Sequence, residues 1–231
     1  MQLFYQPEIT QSKYLDAEES GHCIRVLRKK TGDIIHITDG AGGLFKGKIS
    51  NLNKRKVEFE VLESEQRTPQ SFHLDLAIAP TKSMDRMEWF VEKCVELGID
   101  HIYFFKCHHS ERHQVNLERL NKKAISAMKQ SIKTFLPTLH PMKSFNDIIS
   151  IPIEQKFIAD VDQLNQNLLL SSVKPKANVR VFIGPEGDFS PSEIELAINN
   201  GYQKISLGNN RLRTETAGIA ACHILNLVNS Q

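Results

Sequence analysis

The chain has 231 residues, 40% of them hydrophobic and 24% charged, and a net charge of +2, a composition typical of one large or two modest water-soluble domains. It contains no apolar run near the ~20 residues that span a bilayer, and its start lacks the basic and apolar regions of a signal peptide. Its four scattered cysteines include no Cys-x-x-Cys pair, which fits reduced thiols and predicts a cytoplasmic location.

Residues 1–62 predict a small β-rich unit. Residues 57–61 alternate apolar and polar side chains, as a half-buried strand does. Residues 33–38 and 44–50 are predicted strands on either side of a glycine-rich turn. The polar segment 63–71 contains a proline and is predicted to be a linker.

Beyond the linker, apolar runs that predict strands alternate with amphipathic stretches that predict helices. The predicted strands are 72–79, 102–105, 157–159, 179–183 and 204–206. The predicted helices are 83–97, 117–135, 190–200 and 214–229. This alternation predicts an α/β domain with a mostly parallel sheet covered on both faces.

Two glycine-bearing segments follow predicted strands and lead into predicted helices. They are Gly184-Pro185-Glu186-Gly187-Asp188-Phe189 and Leu207-Gly208-Asn209-Asn210-Arg211-Leu212-Arg213-Thr214-Glu215-Thr216-Ala217. Glycine lets the backbone approach a ligand closely, and backbone N–H and C=O groups can then hydrogen-bond a nucleoside. Together the segments predict one pocket for a nucleoside cofactor, whereas either alone is equally consistent with an ordinary turn.

The amino-acid sequences of these two segments resemble the signature of the RsmE-type methyltransferases of the SPOUT superfamily. Members of that family use S-adenosylmethionine to methylate N3 of a uridine in small-subunit (16S) ribosomal RNA. The resemblance extends to four further segments: Val26-Leu27-Arg28 followed by Gly32-Asp33, Asp85-Arg86-Met87-Glu88-Trp89, Glu96-Leu97-Gly98, and Met128-Lys129-Gln130-Ser131. It implies a PUA-like RNA-binding β-barrel domain over residues 1–67 and a trefoil-knotted SPOUT methyltransferase domain over 72–231. The knot would form where the chain after residue 178 threads a preceding loop, and the family works as homodimers.

Three positions depart from the family pattern. Asp188 stands where the family usually has a second glycine, which leaves the shape of that loop open. Lys133 falls near an expected arginine, and Asn210-Arg211 is a variant lead-in to the second segment. No motif is lost through these changes.

By the same resemblance, both segments contribute residues that bind S-adenosylmethionine. One wall of the pocket would be Gly184, Pro185, Glu186 and Gly187, and the other would be Leu207, Gly208, Asn209 and Leu212. The two leucines could instead belong to the core. Glu186 could stabilise the sulfonium or the methionine amino group, or it could cap backbone amides.

The reaction itself requires removal of a proton from uridine N3 or stabilisation of the imide anion. Arg213 is a candidate to orient the substrate and to hold the developing charge on O2 or O4, since guanidinium keeps its charge. Glu215 could be a base or an acid that favours the first turn of a helix. The proton acceptor is left unassigned.

Positive charge is concentrated in residues 106–143, which carry eight basic and two acidic residues, a local charge of +6. Lys122, Ser126, Lys129 and Lys133 are spaced to form one stripe of a helix, which could follow an RNA backbone or be a solvated face. The resemblance adds Arg25 and Arg28 to the RNA-binding residues, although both could be unpartnered surface arginines. The expected partner is 16S rRNA or the assembled small subunit.

Two other functions use the same features differently. The fold and cofactor would also serve 2′-O-ribose methylation of rRNA or tRNA, and a vestigial pocket would leave a non-catalytic RNA-binding assembly factor. Cys107, His108, His109 and His113 do not form a recognised zinc set, so no metal is expected.

Overall fold

A computed structural model describes residues 1–53, 56–161 and 167–230. Its contacts divide the chain into two compact units, which are Met1–Pro69 with Ile125–Leu136, and Gln70–Ala124 with Pro137–Gln231. In the described part of the chain, the helices are all too short or too polar to traverse a lipid bilayer.

The first unit is built on a five-stranded sheet in the order β1-β3-β4-β5-β2. Its strands are β1 (Leu3–Tyr5), β2 (Tyr14–Leu15), β3 (Ile34–Thr38), β4 (Gly43–Asn53) and β5 (Lys56–Gln66). Between β2 and β3 lie the helix α1 (Ala17–Gly21) and a π-helical turn, His22–Val26. The buried core consists of Phe4, Ile9, Leu15, Cys23, Ile35, Ile37, Ile49, Val57 and Phe59.

The predicted hairpin of the first unit is confirmed. β3 and β4 pair antiparallel, and the Asp39 carboxylate accepts hydrogen bonds from the N–H groups of Ala41 at 2.7 Å and Gly43 at 2.8 Å. The predicted linker 63–71 is wrong at its start, because β5 continues to Gln66. Pairing with β4 carries these polar residues into the sheet, and Glu63 forms an ion pair with Lys46 at 2.7 Å.

The second unit contains a six-stranded, wholly parallel sheet in the order β11-β9-β10-β6-β7-β8. Its strands are β6 (Leu74–Ile78), β7 (His101–Lys106), β8 (Thr138–Ser144), β9 (Gln155–Ala159), β10 (Val179–Ile183) and β11 (Gln203–Ile205). β6 and β10 are buried along their whole length, as the sequence predicts for central strands. The sequence missed β8, which contains Pro141 and lies at the edge of the sheet, where proline is tolerated.

The helices are α2 (Met84–Leu97), α3 (Leu117–Gln130), α4 (Phe145–Ile149), α5 (Leu169–Ser172), α6 (Pro191–Asn199) and α7 (Thr214–Asn229). α2 ends at Gly98, whose φ is 115°, and α6 begins with a capping box between Ser190 and Glu193. α2 and α7 pack closely because Gly218 leaves room for Phe90: a Cβ there would lie 2.4 Å from the ring.

α3 ends earlier than the predicted 135. The N–H of Lys133 donates to the Met128 carbonyl at 3.0 Å and Ile132 has a φ of 56°, which is the arrangement of a Schellman cap. Leu136 then donates to the Gly40 carbonyl at 2.8 Å, so the chain pairs with the β3–β4 turn instead of continuing the helix. The prediction that Ile132 and Phe135 point inward is wrong, since they are 37% and 36% exposed.

The architecture of a small β unit preceding a parallel α/β sheet is the predicted one. Residues 125–136 pack in the first compact unit, which the sequence did not indicate. The division into domains 1–67 and 72–231 and the threading of the chain after residue 178 stay predictions.

Candidate cofactor cleft

A cleft of about 910 Å³ lies in the second unit at the carboxyl ends of β9, β10 and β11. Neighbouring parallel strands bring the loops that follow them to one edge of the sheet, where α/β proteins usually bind ligands. The lining residues come from three loops and the start of α7: Ala159, Asp160, Val161, Ile183, Gly184, Pro185, Glu186, Asp188, Ser206, Leu207, Gly208, Asn209, Asn210, Arg211, Leu212, Arg213, Thr214 and Ala217.

The two glycine-bearing segments therefore meet in space, as predicted. The cleft lining includes most of the residues predicted for the pocket: Gly184, Pro185, Glu186, Leu207, Gly208, Asn209, Leu212 and Arg213. Gly187 does not line the cleft. A Cβ on Gly187 would lie 3.0 Å from the Cβ of His109, so this glycine allows close packing against the loop after β7. The sequence missed Asp160 and Val161 because nothing but the end of β9 marks them.

The Asp188 departure from the family pattern has a structural explanation. Asp188 has a φ of 62°, in the left-handed region that glycine adopts freely. Its N–H donates to the Pro185 carbonyl at 3.0 Å, and its carboxylate accepts from the N–H of Phe189 at 2.8 Å. Aspartate tolerates this conformation because its short side chain can hydrogen-bond the local backbone. The loop thus keeps a glycine-like turn without the glycine.

Asp188 also adds negative charge to the cleft. Burial raises the pKa of the Asp188 carboxyl, and the charge of Asp160 raises it further, while the N–H groups of Phe189 and Val161 and the charge of Arg211 act in the opposite direction. Asp160 forms an ion pair with Lys204 at 2.5 Å. The described residues that line the cleft carry three carboxylates and two guanidinium groups: those of Asp160, Glu186, Asp188, Arg211 and Arg213.

We expect Asp188→Asn to raise the free energy of unfolding at neutral pH and to change it little near pH 4. Because the pKa of Asp188 is higher in the folded state, its contribution to stability is present at low pH and is lost as pH rises through that pKa. Asparagine cannot ionise and also adopts a positive φ. Urea unfolding at both pH values measures the difference.

The matched control is Asp147→Asn. Hydrogen bonds from Ser144 lower the pKa of Asp147 in the capping box of α4, so this variant should lose stability at neutral pH. If Asp188→Asn lost stability at neutral pH in the same way, the burial of its charge would not be the dominant effect.

The second loop, residues 206–213, begins with two local hydrogen bonds between Ser206 and Gly208. The Ser206 hydroxyl accepts from the N–H of Gly208 at 3.2 Å and lies 3.1 Å from the Gly208 carbonyl oxygen, to which it can donate. Gly208 has a φ of 123°, and no atom lies within 4 Å of the position of a Cβ on it. Leu207 and Leu212 are partly buried and line the cleft, so neither is a fully buried core leucine.

The candidate reactive residues lie at the start of α7. Arg213 is exposed, lines the cleft and precedes the first residue of the helix. Glu215 is 5% exposed and does not line the cleft; its Oε1 lies 3.7 Å from Nε of Arg86, and its Oε2 has no hydrogen-bond partner among the described residues. This placement favours a structural role for Glu215 over that of a base.

The cysteine–histidine segment after β7 supports the first loop. His109 Nδ1 lies 2.9 Å from the Asp188 carbonyl oxygen, and the His108 N–H donates to Glu193 at 2.7 Å. Cys107 is buried, with its sulfur 3.3 Å from the Ser110 hydroxyl. These contacts hold the segment against the first loop and the start of α6.

The residues predicted to bind RNA differ in their surroundings. Arg25 and Arg28 are exposed. Lys122 pairs with Glu118 at 2.8 Å on the surface of α3, whereas Lys129 pairs with the largely buried Glu19. Lys133 lies beyond the end of α3, so the predicted helical stripe is interrupted before it. Their role in RNA binding stays a prediction.

Comparison with known proteins agrees with this arrangement. An RNA methyltransferase domain family matches residues 68–226, and an RNA methyltransferase PUA domain family matches residues 15–62. Ribosomal RNA small subunit methyltransferase E of Rickettsia conorii is 29% identical over 89% of this chain and 85% of its own length, and that of Synechocystis is 30% identical over 87% and 68%.

Solved structures are similar over the whole chain. A probable rRNA-methyltransferase from Porphyromonas gingivalis is 40% identical with a TM-score of 0.94, covering 100% of this chain and 99% of that one. Ribosomal RNA small subunit methyltransferase E from Neisseria gonorrhoeae, bound to S-adenosyl methionine, is 25% identical with a TM-score of 0.87, covering 99% and 98%. The chain therefore belongs to the RNA methyltransferase family, in the RsmE group that its two loop segments resemble.

Proposed function

We propose that this protein transfers the methyl group of S-adenosylmethionine to N3 of a uridine in 16S ribosomal RNA. The observation that carries the proposal is the convergence of the loops 184–188 and 206–213 on one cleft. Support comes from the Neisseria gonorrhoeae structure, and from a putative methyltransferase of Legionella pneumophila, 25% identical and solved with bound S-adenosylmethionine.

The cleft suits S-adenosylmethionine in size and chemistry. Its volume of about 910 Å³ lies in the range of small-molecule sites. We infer that backbone groups of Leu207, Gly208 and Asn209 contact the adenosine from one side and Gly184 to Glu186 from the other. The carboxylates of Asp160 and Asp188 favour the positive charge of the ligand. When bound, S-adenosylmethionine supplies an electrophilic methyl group.

In this proposal the residues of the chain position the uracil ring and stabilise charge. Transfer of a methyl group is an in-line displacement, so alignment and exclusion of water provide most of the catalysis. The Arg213 guanidinium holds the negative charge that develops on O2 or O4 as N3 loses its proton. No described side chain is assigned as the proton acceptor.

The deciding experiment is methylation of small subunits, and of naked 16S rRNA, from a strain that lacks this protein. Nucleoside mass spectrometry should find N3-methyluridine, and mapping locates the uridine. Formation of 2′-O-methyluridine would support the ribose methyltransferase alternative. If neither product forms and calorimetry detects no S-adenosylmethionine binding, the protein is a non-catalytic RNA-binding factor.

In the same assay we expect Arg213→Gln to lower kcat about 100-fold, the loss typical of removing one stabilising donor. Affinity for S-adenosylmethionine should change little, because the proposal assigns Arg213 to the uracil. The neighbouring cleft residue Arg211 offers a matched variant, Arg211→Gln, which should retain activity. Equal losses in both variants would contradict the assignment.

We further propose that the β domain 1–67 and the basic residues Arg25, Arg28, Lys122, Lys129 and Lys133 bind the RNA. If about five phosphates are neutralised, the log–log dependence of affinity on salt should have a slope near −3.5. Lys133→Gln should make that slope less steep by about 0.7, because one phosphate contact is lost. Lys129→Gln is a poorer test, because it also leaves the buried Glu19 without its partner. An unchanged slope for Lys133→Gln would remove that residue from the RNA surface.

A homodimer and a cytoplasmic location complete the proposal. The dimer rests on the resemblance to the RsmE group, and the location rests on the four cysteines without a Cys-x-x-Cys pair. Analytical ultracentrifugation of the full chain tests the dimer, and fractionation of the producing cells tests the location.

A further inference from the structure

A second polar cluster lies on one face of the parallel sheet, at its amino end. Strand register places Asp75 opposite His101 and Tyr103 opposite His140, and Arg180 opposite Asp75 on the other side. Residues two apart on a strand share a face, so His73 joins Asp75 and His101 joins Tyr103. The cofactor cleft is at the carboxyl end of the sheet, so the two sites are separate.

The cluster is anchored by a buried carboxylate. Asp75 is fully buried; its Oδ2 accepts from Arg180 at 2.8 Å, and its Oδ1 lies 2.8 Å from Nδ1 of His73. The His73 side chain is 40% exposed, so the group can be reached from solvent. The Asp75 carboxylate and the His73 imidazole are therefore held side by side, and both carry atoms that can bind a metal ion.

The spacing of the donor atoms fits a small metal ion. One ligand atom each from His73, Asp75 and His101 lies within 4.8 Å of the others. His140 adds a fourth donor, since its Nε2 lies 3.2 Å from Nδ1 of His101. Two nitrogens bound to one tetrahedral Zn²⁺ at 2.0–2.1 Å are about 3.3 Å apart. The contact of 3.2 Å between His101 and His140 is already close to that spacing.

We propose that His73, Asp75, His101 and His140 form a binding site for a divalent transition-metal ion of the Zn²⁺ type. Imidazole and carboxylate donors suit zinc, whereas magnesium prefers oxygen ligands alone. The Arg180 charge on Asp75 opposes a second cation, so we expect weaker binding than at a site whose carboxylate has no cationic partner. This site uses none of the residues that the sequence analysis considered for a metal.

The test is calorimetric titration of the metal-free full-length protein with zinc chloride, repeated in excess magnesium. The parent should bind one Zn²⁺, and His101→Gln and His140→Gln should each weaken binding at least about tenfold. His113→Gln is the matched control, because this exposed histidine lies beyond the opposite end of β7. Bound Co²⁺ should show visible d–d bands in the parent and in His113→Gln only.

Zinc should also raise the unfolding temperature of the parent and of His113→Gln more than that of the other two variants. Thermal unfolding without metal shows whether each variant is folded. The proposal is overturned if the parent binds no zinc at millimolar concentration, or if His101→Gln and His140→Gln bind it as tightly as the parent. Neither result bears on S-adenosylmethionine binding, which the same preparations can be shown to retain.

Discussion

Gly208→Val is expected to remove most of the affinity for S-adenosylmethionine while the protein stays folded. Gly208 lines the cleft, and a Cβ on it would meet no protein atom within 4 Å, so the new side chain would occupy cleft space. Its φ of 123° also costs a β-branched residue about 1–3 kcal/mol, which the loop would relieve by moving. We expect a loss of at least tenfold in affinity, or about 1.4 kcal/mol, measured by calorimetry.

Gly201→Val separates the two effects in that prediction. Gly201 follows α6 with a φ of 83°, also has no atom within 4 Å of its Cβ position, and does not line the cleft. The Gly201→Val protein should therefore lose stability through the same backbone strain and keep its affinity for the cofactor. Tight cofactor binding by folded Gly208→Val would exclude the loop 206–213 as a wall of the site.

The cofactor cleft was predictable because its walls are continuous segments of sequence. Gly184 directly follows the buried strand β10, and Gly208 lies three residues beyond the end of β11. Parallel strands bring such loops to one edge of the sheet. Asp160 was not predicted from sequence, because the residues around it include no glycine or proline and two nearby acids after a strand are common in ordinary loops. Gly187 was assigned to the pocket from its loop, and nothing in the sequence indicated that it also packs against His109, which comes from a different part of the chain.

The errors in the fold have a similar origin. Apolar periodicity continues through Ile132 and Phe135, but the pairing of Leu136 with Gly40 competes with the helix and prevails. The polar residues of β5 after Glu63 look like a linker, yet β4 provides their partners from 17 residues away or more. Helix and strand ends depended on contacts distant in sequence, which local propensity does not contain.

Arg180→Met should destabilise the protein by about 3–5 kcal/mol, the cost of leaving a buried charge without its partner. Arg180 and Asp75 are 1% and 0% exposed and 2.8 Å apart. Arg180 also donates to the Ile151 carbonyl at 3.0 Å and stacks 4.6 Å from the Tyr103 ring, so it ties β10 to the segment after α4. Urea unfolding followed by the fluorescence of Trp89, the single tryptophan, measures the change in this unit.

Two further variants show whether the buried charge is the cause. Lys82→Met breaks the exposed Lys82–Glu111 pair of the same unit and should cost at most about 1 kcal/mol. The double variant Asp75→Leu/Arg180→Met removes both charges and should recover much of the loss of Arg180→Met, because apolar residues can replace a buried pair at little cost. If the double variant were no more stable than Arg180→Met, the loss would come from packing and from the Ile151 hydrogen bond. In that case the contact of Asp75 with His73 would be sufficient to stabilise its buried carboxylate in Arg180→Met.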